Sequence, residues 1–249
     1  MADWQAIDEE LSHWSHPAEL WWRDDDAIAN TPELQLIIAH SEQYAIPLHL
    51  AVIPGHLETS LVDELAARHQ VYALQHGLSH QNHARPQQRK IEMGGAQSQA
   101  ELQQKLSDAR LKLSGQFGDN YLDILVPPWN RIEDPVRAVL PEIGYQRLSI
   151  LGSPNTASII PEVNVHIDII DWKQHSFVGE EQVLNALLDN LRRRRIDNIY
   201  NKEPTGLMTH HLQHDQACTD FLARFFADCA TRKTLKWIGG SQLLQAHHP

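Results

Sequence analysis

Short apolar runs alternate with longer amphipathic stretches along this chain, and that alternation restricts it to a β/α architecture. Residues 19–25, 48–53, 71–75, 122–126, 163–170, 206–209 and 235–238 read as strands. Between them, apolar residues recur at helical spacing. Pro32 opens one such stretch (Leu34, Leu36, Ile37, Ile38), with proline at a first-turn position. Others span 61–69, 99–117 (Leu102, Leu106, Ala109, Leu113), 180–194 and 216–231. A long polar loop separates the third strand from the helix at residue 99. No repeat, low-complexity segment or linker interrupts the pattern. The 249 residues are expected to form a single domain, 1–249, with a full core.

Several function classes are disfavoured at once. The net charge of −11 argues against nucleic acid or an anionic membrane as a main partner. No apolar run reaches transmembrane length. The first residues lack a basic segment followed by an apolar one, so a cytoplasmic location is expected. Cys218 and Cys229 fall in one predicted helix, too far apart to bridge, as suits a reduced compartment. Nothing in the pattern sets an oligomeric state.

The polar residues of interest stand where strands end, the position at which parallel β/α folds gather their sites. Asp24, Asp25 and Asp26 follow Trp21-Trp22. Three carboxylates in a row repel one another unless a cation or hydrogen-bond donors are near. His76-Gly-Leu-Ser-His80 ends the third strand, and imidazoles four residues apart face one centre if they share a helical turn. Taken separately, the aspartates read as turn or capping residues ahead of Pro32, and the histidines as solvated loop residues. Taken together, a carboxylate and two histidines form a ligand set for a catalytic metal, with a coordination position left open. The chain therefore reads as a metal-dependent hydrolase.

Four segments in order resemble the motifs of the polysaccharide deacetylases that share the nodulation-B homology domain. They are Trp22-Arg23-Asp24-Asp25-Asp26, His76-Gly77-Leu78-Ser79-His80, Val126-Pro127-Pro128-Trp129-Asn130-Arg131 and Leu207-Met208-Thr209-His210. A further family motif is matched by Asp168-Ile-Ile-Asp171-Trp172. The resemblance implies a distorted (β/α) barrel of about seven parallel strands and one divalent metal ion, zinc by preference. By motif position, Asp25, His76 and His80 match the metal ligands, Asp24 the general base and His210 the general acid. Trp129, Arg131 and Trp172 become candidate substrate contacts. The implied reaction is hydrolysis of an N-acetyl or similar linear amide on a carbohydrate. A non-catalytic carbohydrate-binding relative and an O-acetyl esterase are the alternatives.

The departures from the family pattern are specific. Val126 stands where the third motif carries arginine, and Arg131 is the candidate replacement. Gly77 replaces the usual hydroxyl residue, which removes one orienting hydrogen bond from the first histidine. Asp26 occupies the usual glycine position, so the register of base and ligand within the acidic triplet is open by one residue. Period-two alternation allows only one of His210 and His211 to face the barrel mouth.

Overall fold

Trp21 and Trp22 are consecutive, and both are fully buried. A strand permits this only when layers cover both its faces, as in a parallel sheet wrapped by helices. The computed structural model shows that arrangement and describes residues 3–155, 157–197 and 203–245. The chain runs α1 (Trp4–Leu11), β1 (Ala18–Ala27), α2 (Pro32–Tyr44), β2 (Leu48–Val52), α3 (Thr59–Ala66), β3 (Val71–His76), α4 (Gln99–Phe117), β4 (Tyr121–Val126) and α5 (Asp134–Val139). It continues through β5 (Arg147–Leu148), β6 (Ile167–Asp168), β7 (Ile170–Asp171), β8 (Ser176–Phe177), α6 (Glu180–Ile196), β9 (Thr205–Thr209), α7 (Gln216–Ala230), β10 (Leu235–Trp237) and α8 (Ser241–Gln245).

The main sheet has the order β5-β4-β3-β2-β1-β9-β6, with β10 paired to the start of β1, and its pairings are all parallel. It curls into a distorted (β/α) barrel. Its two faces carry separate apolar clusters. Trp21, Ala51, Leu74, Ile124, Val126 and Met208 fill the interior. Leu20, Trp22, Leu48, Leu50 and Val52 pack outward on helices that include α2, α6 and α7. Local rules set the helix starts. Thr31 caps α2 by accepting from the Leu34 amide, with Pro32 in the first turn, and Asp215 caps α7 by accepting from the Cys218 amide.

The structure differs from expectation in several elements. The strand expected over 163–170 is broken. Only isolated bridges (Leu148 with Glu162, Leu151 with Val165) precede the short β6, and β7 turns away to pair antiparallel with β8. Side-chain bonds interleave with backbone ones there: Asn164 Oδ1 accepts from the Ile150 amide and His166 Nδ1 from the Gly206 amide, while the Val165 and His166 amides donate to the Ile150 and Gly206 carbonyls. Helices α1 and α5 were not expected, being short and without a long apolar period. Cys218 and Cys229 are buried free thiols on α7.

Candidate active site

Alternation along β1 sorts the acidic triplet. Trp21, Arg23 and Asp25 belong to the barrel interior, while Trp22 and Asp24 face the helices. Asp24 is fully buried on that outer side. Its oxygens accept from the Thr209 hydroxyl (2.6 Å), the His211 amide (2.9 Å) and the His211 ring Nδ1. Burial alone would raise the Asp24 carboxyl and lower the His211 imidazole. The ion pair outweighs it in both directions, so Asp24 is held below its usual range and His211 above. Asp24 is therefore not placed to act as base in the barrel mouth. It is half of a structural pair.

Asp25 points inward, where Arg23 grips it with a two-pronged contact: Nε to Oδ1 at 2.8 Å and Nη2 to Oδ2 at 2.9 Å. Arg23 is itself completely buried and is held by the Ser149 hydroxyl (2.7 Å) and Asn130 Oδ1 (3.1 Å). The cation beside Asp25 thus comes from the strand that carries the aspartates. Arg131, the expected replacement, instead donates to the Lys90 carbonyl at 2.8 Å.

Asp26 is the carboxylate that meets the histidines. The β1–β2 pairing slips between Asp24 and Ala27, and Asp26 adopts a left-handed backbone (φ 71°). Such a bulge re-aims a side chain that strict alternation would send outward. Asp26 Oδ1 lies 3.1 Å from His76 Nε2 and 3.5 Å from His80 Nε2. The assignment of Asp25 as ligand is corrected by one residue: Asp26, His76 and His80 offer ligand atoms that all lie within 4.8 Å of one another.

The two histidines do not share a helical turn. His76 ends β3, and His80 sits in a non-helical loop at φ 56°. Nδ1 of His76 contacts the Val126 carbonyl at 3.0 Å, a partner that requires Nδ1 to donate. The orienting bond thus comes from backbone, and in the neutral ring Nε2 carries its lone pair toward Asp26. The loop between the histidines wraps the buried Glu92 carboxylate, which accepts from the amides of Leu78 (3.0 Å), Ser79 (2.8 Å) and Gln81 (3.1 Å). Gly77 has φ 51°, and a Cβ there would stand 2.1 Å from Glu92 Oε2. Glycine at this position makes the Glu92 anchor possible, where a hydroxyl residue would collide with it.

The donor set suits a divalent cation. Asp26 Oδ1 is shielded from solvent and accepts no hydrogen bond while facing two imidazoles. Burial pushes its carboxyl up, but the imidazoles of His76, His210 and His80 together outweigh it and hold the carboxyl well below the usual range. Nitrogen donors with one carboxylate match zinc and neighbouring transition ions.

His210 follows β9 on the interior side, with Nε2 3.9 Å from Asp25 Oδ2 and its buried Nδ1 unpartnered. Trp172, 45% exposed, sets its ring edge-on to His210 at 4.6 Å and donates from Nε1 to Asp168 (2.8 Å). Burial raises the Asp168 carboxyl. Trp129 packs against the His80 ring at 4.6 Å. Reading residues alone missed Arg23, Glu92, Asn130 and Ser149 as parts of the site. Only Arg23 left a signal, a cation in an apolar run two residues before Asp25, hence on the same strand face.

No protein-family model and no curated protein sequence matches the chain. Solved structures do. A Mycobacterium smegmatis protein provisionally described as a polysaccharide deacetylase superposes with TM-score 0.62 at 15% identity, over 93% of this chain and 91% of that one. A family 4 acetyl xylan esterase from Clostridium thermocellum with a cobalt ion gives 0.54 at 11% identity, over 91% and 90%. A pseudoenzyme of carbohydrate esterase family 4 from Bacillus anthracis gives 0.58 at 13% identity, over 92% and 66%. The fold is that of the carbohydrate esterase family 4 deacetylases, the nodulation-B type suggested by the motifs.

Proposed function

We propose that this protein is a metal-dependent hydrolase that removes an acetyl group from the nitrogen of an N-acetylated sugar. The observation that carries the reading is the joint presence of the Asp26–His76–His80 cluster, the arginine-held Asp25 and His210 around one barrel mouth. Asp26, His76 and His80 would hold the ion, which, when bound, polarises an amide carbonyl and makes water more acidic. Asp25, fixed by Arg23 rather than free to rotate, is the base that receives the proton of the attacking water. His210, beside Asp25, presents Nε2 to the departing nitrogen and donates the proton that an amine leaving group requires. Trp172 and Trp129 wall the mouth on the His210 and His80 sides with flat apolar faces suited to a sugar ring. The fold by itself does not confer turnover, since a pseudoenzyme shares it. A carboxylate and an imidazole beside the ligand cluster support catalysis here.

The test is acetate release, with metal analysis, from N-acetylated oligosaccharides, simple amides and acetyl esters. Zinc- or cobalt-loaded protein is expected to act on the N-acetyl sugars. Asp25→Asn should lose at least about a hundredfold in turnover while keeping its metal. Metal-loaded protein that releases no acetate from any of them would end this reading.

A further inference from the structure

The chain carries an excess of eleven negative charges by formal count, yet its mouth has a positive rim. Arg85, Arg89 and Lys90 lie exposed on the polar loop after β3, and Arg131 lies half-buried on the loop after β4. Arg85 is neutralised by Glu133 at 3.0 Å. Among the described residues, no carboxylate pairs with Arg89, Lys90 or Arg131. Arg131 spends one N–H on the Lys90 carbonyl, which ties the two loops together. Lys90 Nζ stands 5.9 Å from the centre of the Trp129 ring, and that ring packs on His80 at 4.6 Å. A cation is thus one indole away from the ligand cluster. Like charges in company repel, and the Arg131 guanidinium is depressed by burial and then by Arg89. An arriving anion would relieve that repulsion and would be steered to the mouth by it.

We propose that the substrate carries a fixed anionic group, a carboxylate or a phosphate on the acylated sugar or its neighbour, which Arg89, Lys90 and Arg131 receive beside Trp129. This inference rests on the deacetylase reading and narrows its substrate class. Guanidinium groups suit both anions because their paired N–H groups match two oxygens at once.

The test compares N-acetylglucosamine with its 6-phosphate and with its 6-carboxylate, all in metal-loaded protein. The anionic sugars should be preferred in kcat/KM by about tenfold, the scale of a few exposed charge contacts. The preference should fall to within about twofold in Arg89→Gln/Lys90→Gln. It should shrink likewise when salt rises from about 0.1 M to about 1 M, which shortens the screening length from about 10 Å to about 3 Å. Preference for only one of the two anions assigns the class to that anion. Equal rates on the neutral sugar, or a preference that survives Arg89→Gln/Lys90→Gln, overturn the rim's role and leave the deacetylase reading standing. If none of the three is hydrolysed, acetate release from the N-acetylated oligosaccharides decides the deacetylase reading, and calorimetry on chelator-treated protein decides the rim alone. Glucosamine 6-phosphate binding above glucosamine, and lost in the double variant, upholds the rim; equal binding rejects it.

Discussion

The Arg23–Asp25 pair invites a quantitative test, because both side chains are almost completely removed from water (0% and 3% exposed). Arg23→Met keeps length and apolar bulk while deleting the guanidinium, so Asp25 is left charged and without its partner inside the barrel. Breaking a buried pair in this way costs about 3–5 kcal/mol, roughly a fifth or more of the stability of an ordinary domain. Asp25→Asn should cost a comparable amount by leaving Arg23 uncompensated. Arg23→Met/Asp25→Asn removes both charges and should cost about 3 kcal/mol less than the sum of the two single losses. The assay is urea unfolding of the three variants and the parent with chelator present, so that metal binding does not add to the folded state. Metal-loaded turnover of Arg23→Met should also drop by at least about a hundredfold, since an unheld carboxylate no longer points at one place. Losses that add within about 0.5 kcal/mol would refute the reasoning, because independent residues add to that tolerance. Single-variant costs below about 1 kcal/mol would refute it equally, placing the pair with exposed ones.

Three further outcomes follow from the same geometry. Asp26→Asn should weaken metal binding by at least about tenfold while Asp24→Asn leaves it near the parent value and loses stability, and metal titration with unfolding reads both; the reverse pattern would restore the other register. Gly77→Ala should destabilise by more than about 1 kcal/mol and loosen metal binding, because the Cβ meets Glu92 at 2.1 Å and φ is positive; unchanged urea midpoint and affinity would reject the Glu92 anchor. His49 is fully buried, contacts the Trp22 carbonyl through Nδ1 (2.8 Å) and accepts the Gly240 amide at Nε2 (3.2 Å), so burial lowers its pKa to about 4. The unfolded chain then binds the extra proton between about pH 6.5 and 4, so stability is complete above that window and falls by about 3 kcal/mol as pH drops through it. His49→Gln should flatten that slope in pH-dependent urea unfolding, and an unchanged slope would assign it elsewhere.

Much of the architecture was legible from local rules. Apolar periodicity gave the principal strands and helices because burial of one face is written into every turn and pleat, and Thr31-Pro32 marked a helix start by its own chemistry. The same alternation foretold that His210 and His211 would face opposite ways, and they do, toward Asp25 and Asp24. The strand expected over 163–170 was not legible as broken, because side-chain bonds from Asn164 and His166 interleave there with backbone bonds to Ile150 and Gly206, partners that lie in other segments.

What the sequence by itself determined was therefore which residue types arrive at the carboxyl ends of the strands: three aspartates, a spaced histidine pair and a histidine doublet. Which member of each group does what was decided only by tertiary contacts. The slip between β1 and β2 depends on a neighbouring strand, and it alone turns Asp26 toward His76 and His80. Arg23 meets Asp25 with Ser149 and Asn130, more than a hundred residues away, holding its guanidinium. The His80 loop takes its shape from Glu92, whose carboxylate gathers amides that no periodicity records. Periodicity encodes which face a side chain takes. Register, bulges and buried charge pairs depend on the partner strand and on desolvation, and neither exists until the barrel has closed.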